Sequence, residues 1–333
     1  MRYLMFSLAL GILLTSCSND PFKVDVSKIK VTLHIHRLDQ TIAHLKNDSI
    51  EMKLPEIIKE YGTFAELYSN QIIKVGSMYN ADYVKNLKVF LNYEVFNDIN
   101  DLIVKEFGSQ KLSFEPELTE AFKHYTYFFP KKKIPNLYTF NGGFNQSIVI
   151  DSSLIGIGLD KYLGTNCSLY KHLEMEQYKK DVMYPKKVTS DVMLALAESE
   201  FPFNFNSENL LSTMINEGRK IYFTKAMVPD QNDTVIWGFT SKQLKFCTQS
   251  EKDMWDYLVD NKLLFNSDYM NIKRFTGEGP FTSAFSKESP ARAAVWIGYQ
   301  IVLSYMNHNS VTLPQLMKEN DFQKIMNKSK YNP

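Results

Sequence analysis

Apolar residues recur at three- and four-residue spacing along most of this chain, and one short stretch breaks that period. From Asp39 to Phe129 the repeat appears in Leu54, Ile57, Ile58 and Tyr61, then in Leu67, Ile72 and Val75, then in Val84, Leu87 and Leu91, and again in Val95, Ile99, Leu102 and Ile103. Such spacing lines one face of a helix. Between Leu137 and Asp160 the pattern changes to short runs rich in β-branched and aromatic residues, punctuated by glycine. From Val188 onward the helical period returns. The chain is therefore predicted to be α+β, predominantly helical, with a small antiparallel sheet.

Local signals set the expected boundaries. Pro116 suits the first turn of a helix over 116–129, closed by Pro130. Leu137–Phe140 and Ser147–Ile150 flank Asn141-Gly142-Gly143, which predicts a hairpin, and 153–160 reads as a further strand. Gly156 and Gly158 lack the third glycine and the helix start of a phosphate loop, so these two and Gly164 are expected to serve tight turns. Val24 to Leu38 alternates, with Ile29, Val31, Leu33 and Ile35 on one face and His34 and His36 on the other, predicting a half-buried strand with a solvated histidine face. A helix over 188–200 stops before Pro202, and Ser207 is expected to cap the next, with Glu208 in its first turn. One or two helices fall within 241–261. Ser289-Pro290 is expected to open a strong helix, and short helices near 313–326 end the pattern.

The N-terminal segment follows different rules. Met1-Arg2-Tyr3 precedes an apolar run from Leu4 to Leu14, which ends in Leu14-Thr15-Ser16-Cys17 and a polar Ser18-Asn19-Asp20-Pro21. The run has the length of a signal-peptide core and falls short of the ~20 residues a membrane-spanning helix needs. Small residues before a cysteine resemble the lipobox of bacterial lipoproteins. Residues 1–16 are thus expected to be an export signal, Cys17 the lipidated residue, 17–23 a tether, and 24–333 a single soluble globular domain. No later apolar run approaches spanning length.

Charge excludes several partners. The chain carries 38 Lys and Arg against 37 Asp and Glu; removing 1–16 takes away Arg2 and leaves balance. There is no basic surplus for nucleic acid. Lys131-Lys132-Lys133 reads as a solvated loop. Aromatic residues make up 14% of the chain, with 23 Phe and 19 Tyr, as in a packed domain. Cys167 and Cys247 lie next to apolar or aromatic residues and are expected to be buried thiols, with a disulfide as the alternative.

The catalytic inventory is thin. A zinc-peptidase helix carries His-Glu-x-x-His, two ligands four residues apart on one face. The six histidines are His34, His36, His44, His124, His172 and His308, and no two are four apart. Helix 188–200 has Glu198 and Glu200 but no histidine, and a two-residue offset points these carboxylates to different sides. Glu217 occupies the place of a third ligand, and His172 and Glu176 could share a helical face. These three are the metal candidates; no catalytic residue is assigned, and no cofactor, zinc included, is expected. Gly277-Glu278-Gly279-Pro280-Phe281 reads as a loop with an aromatic tip, making Glu278, Phe281 and Arg292 a candidate interaction loop. Arg219 and Arg292 are expected to form buried ion pairs with Glu217 or Glu288.

Several strings carry a family resemblance: Leu14–Cys17; Ser27–Asp39; Ser153–Gly164; Ser199-Glu200-Phe201-Pro202; Asn216–Phe223; Trp237-Gly238-Phe239-Thr240; Gly279-Pro280-Phe281-Thr282; and Glu288–Arg292 with Trp296–Val302. Together the chain resembles the gliding-motility lipoprotein GldB family over nearly its whole length. A more distant similarity to predicted zinc peptidases implies a degenerate zincin-like core in which only Glu217 keeps a ligand's place. The resemblance implies a lipid-anchored, periplasm-facing, non-catalytic assembly component of gliding motility or associated envelope machinery, on the outer membrane. Its implied partners are the membrane, through the lipid, and other envelope or motility proteins. The alternatives are a divergent metal-dependent hydrolase and a ligand-binding lipoprotein with an aromatic cleft.

Overall fold

The computed structural model describes residues 20–151, 153–203 and 208–333. Strands β1 (Ile35–Arg37), β2 (Asn136–Phe140), β3 (Ile148–Asp151) and β4 (Leu154–Gly158) form one sheet in the order β1-β2-β4-β3. β2 is parallel to both β1 and β4, and only β3 runs antiparallel, on the edge. The fold is the predominantly helical α+β expected, but the sheet is mixed rather than antiparallel. The predicted hairpin across Asn141-Gly142-Gly143 does not form, for a physical reason. The buried Asp160 carboxylate accepts the Gly142 N–H at 3.1 Å and the Phe144 N–H, and the Gly158 N–H donates to the Ser147 carbonyl at 2.7 Å. These bonds carry the chain over the end of β4, so β3 pairs with β4 instead of β2.

Both central strands are buried on both faces, as parallel strands require. Leu137, Ile155 and Ile157 point into a larger core, while Tyr138 and Phe140 point into a smaller one. Gly156 and Gly158 serve packing rather than turns. A Cβ on Gly156 would strike the Phe64 ring, and one on Gly158 would strike the Gln146 carbonyl. Gly164, at φ +97°, is the true turn glycine of the three.

The smaller core lies under α1 (Leu38–Ala43), α2 (Ile50–Leu67) and α3 (Tyr83–Leu91), where Leu38, Leu87, Tyr61 and Phe64 share one cluster with Tyr138 and the last two pack on its ring. The expected strand over Val24–Leu38 is reduced to β1. Ile29, Val31 and Leu33 still turn inward while Lys30, Thr32 and His34 stay exposed, but backbone pairing begins only at Ile35. His36 leaves the solvated face and stacks on Tyr138 with ring centroids 5.0 Å apart.

The larger core gathers α4 (Glu94–Phe107), α5 (Glu115–Phe128) and, after the short α6 (Gln177–Lys180), α7 (Val188–Glu200) and α8 (Leu210–Met227). Ser207 lies outside the described residues. The cap of α8 is Asn209, in a reciprocal box with Ser212. Then follow α9 (Asp233–Trp237), α10 (Ser241–Gln249), α11 (Glu251–Asp260), α12 (Tyr269–Thr276), α13 (Ala293–His308), α14 (Leu313–Lys318) and α15 (Phe322–Ser329). α13 starts three residues after Pro290, because Arg292 takes left-handed backbone (φ 56°, ψ 28°) and interrupts any earlier helix.

α8 and α13 form the central seam. They touch at Gly218 and Gly298, where an added Cβ would collide with backbone of the opposite helix. Such an approach is possible only without side chains. Cys167 and Cys247 are free thiols; Cys247 is buried, which pushes its thiol up to about 12, whereas Cys167 is only half-buried. Lys131, Lys132 and Lys133 are exposed, with Lys132 reaching Glu200 at 3.2 Å.

Candidate functional site

A cleft of about 870 Å³ opens where the turn after β4, the start of α7, the end of α9 and the loop before α13 meet. Asp191 lines it, in the first turn of α7, where the helix dipole favours a carboxylate. Lys187, four residues earlier, donates to Asp191 Oδ1 at 2.8 Å, and the Tyr162 hydroxyl donates to Oδ2 at 3.0 Å. The Lys187 ammonium also approaches the Ile236 carbonyl at 3.5 Å. Burial, with Asp191 beside it, holds the Tyr162 hydroxyl well above the usual phenol range, so it stays a donor. Each Asp191 oxygen therefore accepts one bond, from a cation on one side and a hydroxyl on the other.

Gly238 ends α9 in left-handed backbone (φ +66°), and its missing Cβ leaves room for Val182 and the Lys187 stem. Beside it Trp237 is fully buried, stacked against Phe239 at 5.4 Å and edge-on to Tyr299 at 5.5 Å, and its indole N–H has no acceptor among the described residues. Tyr178, Tyr184 and Pro280 add to the cleft walls. Lys161, half-buried at the mouth, is lowered from its ordinary pKa by burial, against the pull of Asp160.

Arg292 enters the cleft from the loop before α13. That loop is tightly tied. Thr282 N–H and hydroxyl both donate to the Pro290 carbonyl (3.0 and 2.9 Å), the Ser289 hydroxyl donates to the Ser286 carbonyl at 2.6 Å, and the Ala293 N–H donates to the Thr282 hydroxyl at 3.0 Å. Thr282 and Ser289 are both buried. Among the described residues the Arg292 guanidinium makes one bond, Nη2 to the Trp237 carbonyl at 3.2 Å.

The sequence candidates scatter. Cys17 lies outside the described residues. Glu217 is on α8, 2.7 Å from Lys220, with Asn216 also donating to it; Glu198 reaches the same lysine at 3.8 Å. Glu198 and Glu200 do point apart, since Glu200 accepts from Tyr125 at 2.6 Å instead. His172 and Glu176 share no helical face, because Leu173 between them is extended; both are exposed, and Glu176 pairs with Lys179 at 2.9 Å. Among the described residues no three His, Cys, Asp or Glu side chains are grouped to hold a metal. Glu278 and Arg292 both line the cleft; Phe281 does not.

Neither arginine forms the ion pair expected of it. Arg219 is buried and donates to Asn216 Oδ1 at 2.8 Å and to the Met317 and Glu319 carbonyls at 3.2 and 2.7 Å. Burial lowers its pKa to about 10, opposed by Glu217 and Glu319. Glu288 lies nearer Lys242, at 3.7 Å, than any arginine. Carbonyls at the end of α14 replace the carboxylate that sequence proximity suggested for Arg219. Lys187, Asp191, Tyr162 and Trp237 were missed as site residues. The lysine–aspartate spacing of four at a helix start was the one local signal that could have found two of them.

A family model described as gliding motility protein GldB matches residues 19–333. No curated protein and no solved structure matches the chain.

Proposed function

This chain belongs to the gliding motility GldB family, and from that membership we propose that it is a lipid-anchored, periplasm-facing, non-catalytic assembly component of gliding motility or its associated envelope machinery. The family match carries the reading, because it spans residues 19–333. Two structural features support it. The first is the seating of the N-terminal segment. Asp20 accepts the Phe22 N–H at 3.1 Å, and the buried Phe22 ring packs on Tyr222 with centroids 4.8 Å apart. At about 3.5 Å per residue, residues 17–20 then reach no more than ~14 Å, so a lipid on Cys17 would hold this domain close to the bilayer. Two acyl chains suffice for stable anchoring. No helix among the described residues is long and apolar enough to cross a membrane.

The second is the state of the carboxylates. Glu217 is matched by Lys220, and Asp191 by Lys187 and Tyr162. Each carboxylate has a lysine within ion-pair distance, an arrangement that suits a structural role.

Cys17→Ser tests the anchor. The variant is expected to leave the membrane fraction, and to stop co-isolating envelope proteins that cross-link to the wild type. Unchanged membrane partition would overturn the lipid anchor, and the absence of any envelope protein in wild-type cross-links would overturn the assembly role. A tightly held stoichiometric metal, lost on Glu217→Ala, would favour the hydrolase instead.

A further inference from the structure

Four strings that carry the family resemblance meet at the cleft: Lys161-Tyr162, Trp237-Gly238-Phe239-Thr240, Gly279-Pro280 and Pro290-Ala291-Arg292. They come from three separate stretches of sequence and share one open surface. Its charged groups fall into two sets. Lys187 and Asp191 satisfy each other, Lys179 is held by Glu176, and Asp181 accepts from Gln177 at 2.7 Å. Arg292 and Lys161 have only single carbonyl contacts, to Trp237 at 3.2 Å and to Phe144 at 3.4 Å, and no carboxylate within ion-pair distance among the described residues. Glu278 stands exposed at the rim.

The backbone of Arg292 adds a separate observation. A non-glycine residue in left-handed backbone is strained, and such strain persists only where the surroundings impose it. Here the Thr282–Ser289–Pro290 bonds impose it, and glycine would fit the position without strain. Lys74, Phe144, Lys262 and Lys330 share this backbone among the described residues, and Arg292 is the one of the five that lines the cleft.

We propose that this cleft binds a carboxylate presented on a peptide, with Arg292 gripping the carboxylate and the wall of Tyr178, Tyr184 and Pro280 receiving the adjoining apolar side chain. The planar guanidinium fork matches a planar carboxylate in two parallel bonds. The lining sets Lys161, Lys179, Lys187 and Arg292 against Asp181, Asp191 and Glu278, four cations to three acids, an excess that one carboxylate balances. The volume exceeds what one small acid fills, and the hydroxyls of Tyr184 and Ser241 and the amide of Gln243 line it as partners for peptide groups. The carboxylate can come from a chain terminus or from an Asp or Glu side chain. The inference rests on the assembly reading for its biological sense, but not for its measurement.

Calorimetry on the full-length lipoprotein in detergent tests it with four hexapeptides of otherwise equal sequence. One has a free C-terminal acid and neutral side chains. The second is amidated with one internal Glu, the third is amidated with Gln in that place, and the fourth is amidated with phosphoserine there. Binding by the first or second identifies the source of the carboxylate. The Gln peptide is expected to bind at least tenfold more weakly. Arg292→Gln is expected to lower acid-peptide affinity at least tenfold, and Arg292→Lys to lower it less. Arg292→Gly is expected to lose binding while its melting temperature rises, an outcome no purely structural role gives. Equal binding of the Gln peptide, tighter binding of the phosphopeptide, no binding of either acid peptide at millimolar concentration, or wild-type affinity in Arg292→Gln each overturns the proposal. None of these outcomes alters where Cys17→Ser partitions, so the two readings fail separately.

Discussion

The seam between α8 and α13 and the cleft at the head of α13 use the same residue types in opposite ways. Beside the seam, where α8 meets the end of α14, Arg219 is buried and donates to one side-chain and two backbone acceptors. In the cleft, Arg292 is half-exposed with one carbonyl contact. The acids divide in the same manner. Asp160 is closed in by backbone N–H groups, while Asp191 is balanced by Lys187 and Tyr162 on an open wall. Backbone follows suit: Gly298 sits where nothing larger fits, whereas Arg292 sits where glycine would fit better. Closed regions of a fold are shaped by packing and hydrogen-bond satisfaction. An open region that departs from those rules points to selection for something other than stability.

The sharpest way to break this contrast is at Gly298. The methyl of Gly298→Ala meets the Met214 carbonyl, which is backbone and cannot swing aside. The expected loss is at least about 3 kcal/mol in urea unfolding, or failure to fold. A loss below about 1 kcal/mol would mean the seam is looser than described.

Asp160 comes next. Burial raises its carboxyl from 3.8 to about 6, against the backbone donors that lower it. An acid with a raised folded pKa binds its proton more tightly when folded. Its contribution is therefore complete below the unfolded value and is lost as pH rises through about 6. Between pH 4 and 7, wild type should lose up to about 3 kcal/mol relative to Asp160→Asn. A flat difference across that range would place the carboxylate in a better-solvated setting.

Arg219→Met keeps much of the apolar stem but leaves the Met317 and Glu319 carbonyls and Asn216 without their donor. A cost of about 2 kcal/mol is expected, read from the unfolding midpoint. Arg292→Gly gives the smallest change and the opposite sign. Relief of left-handed strain should stabilise by up to about 1 kcal/mol, partly offset by the freer unfolded chain. A destabilised Arg292→Gly would make the two arginines alike and remove the contrast.

Most helices were legible because their signals are local. Helix 188–200 begins and ends as expected, since an apolar stripe and a following proline act within a few residues. Where local signals misled, a distant group had intervened. Asn141-Gly142-Gly143 is good hairpin chemistry, yet Asp160 captures its amides and redirects β3. Ser289-Pro290 is a good helix start, yet the Thr282 knot holds Arg292 out of helix. At the cleft only Glu278 and Arg292 of the expected loop were found in advance, because convergence of residues 162, 191, 237 and 292 has no periodic trace.

The sequence by itself determined the class of fold, the helical stripes, the charge balance, and strings distinctive enough to identify the family. Those properties reside in neighbouring residues and survive in any arrangement of the chain. Strand order, the neutralisation of Glu217 by Lys220, the spread of Arg219 across the end of α14, and the pairing of Lys187 with Tyr162 through Asp191 were decided only by tertiary structure. Each satisfies a group that burial would otherwise leave unpaired, and which partner is within reach depends on how the two cores close around the sheet.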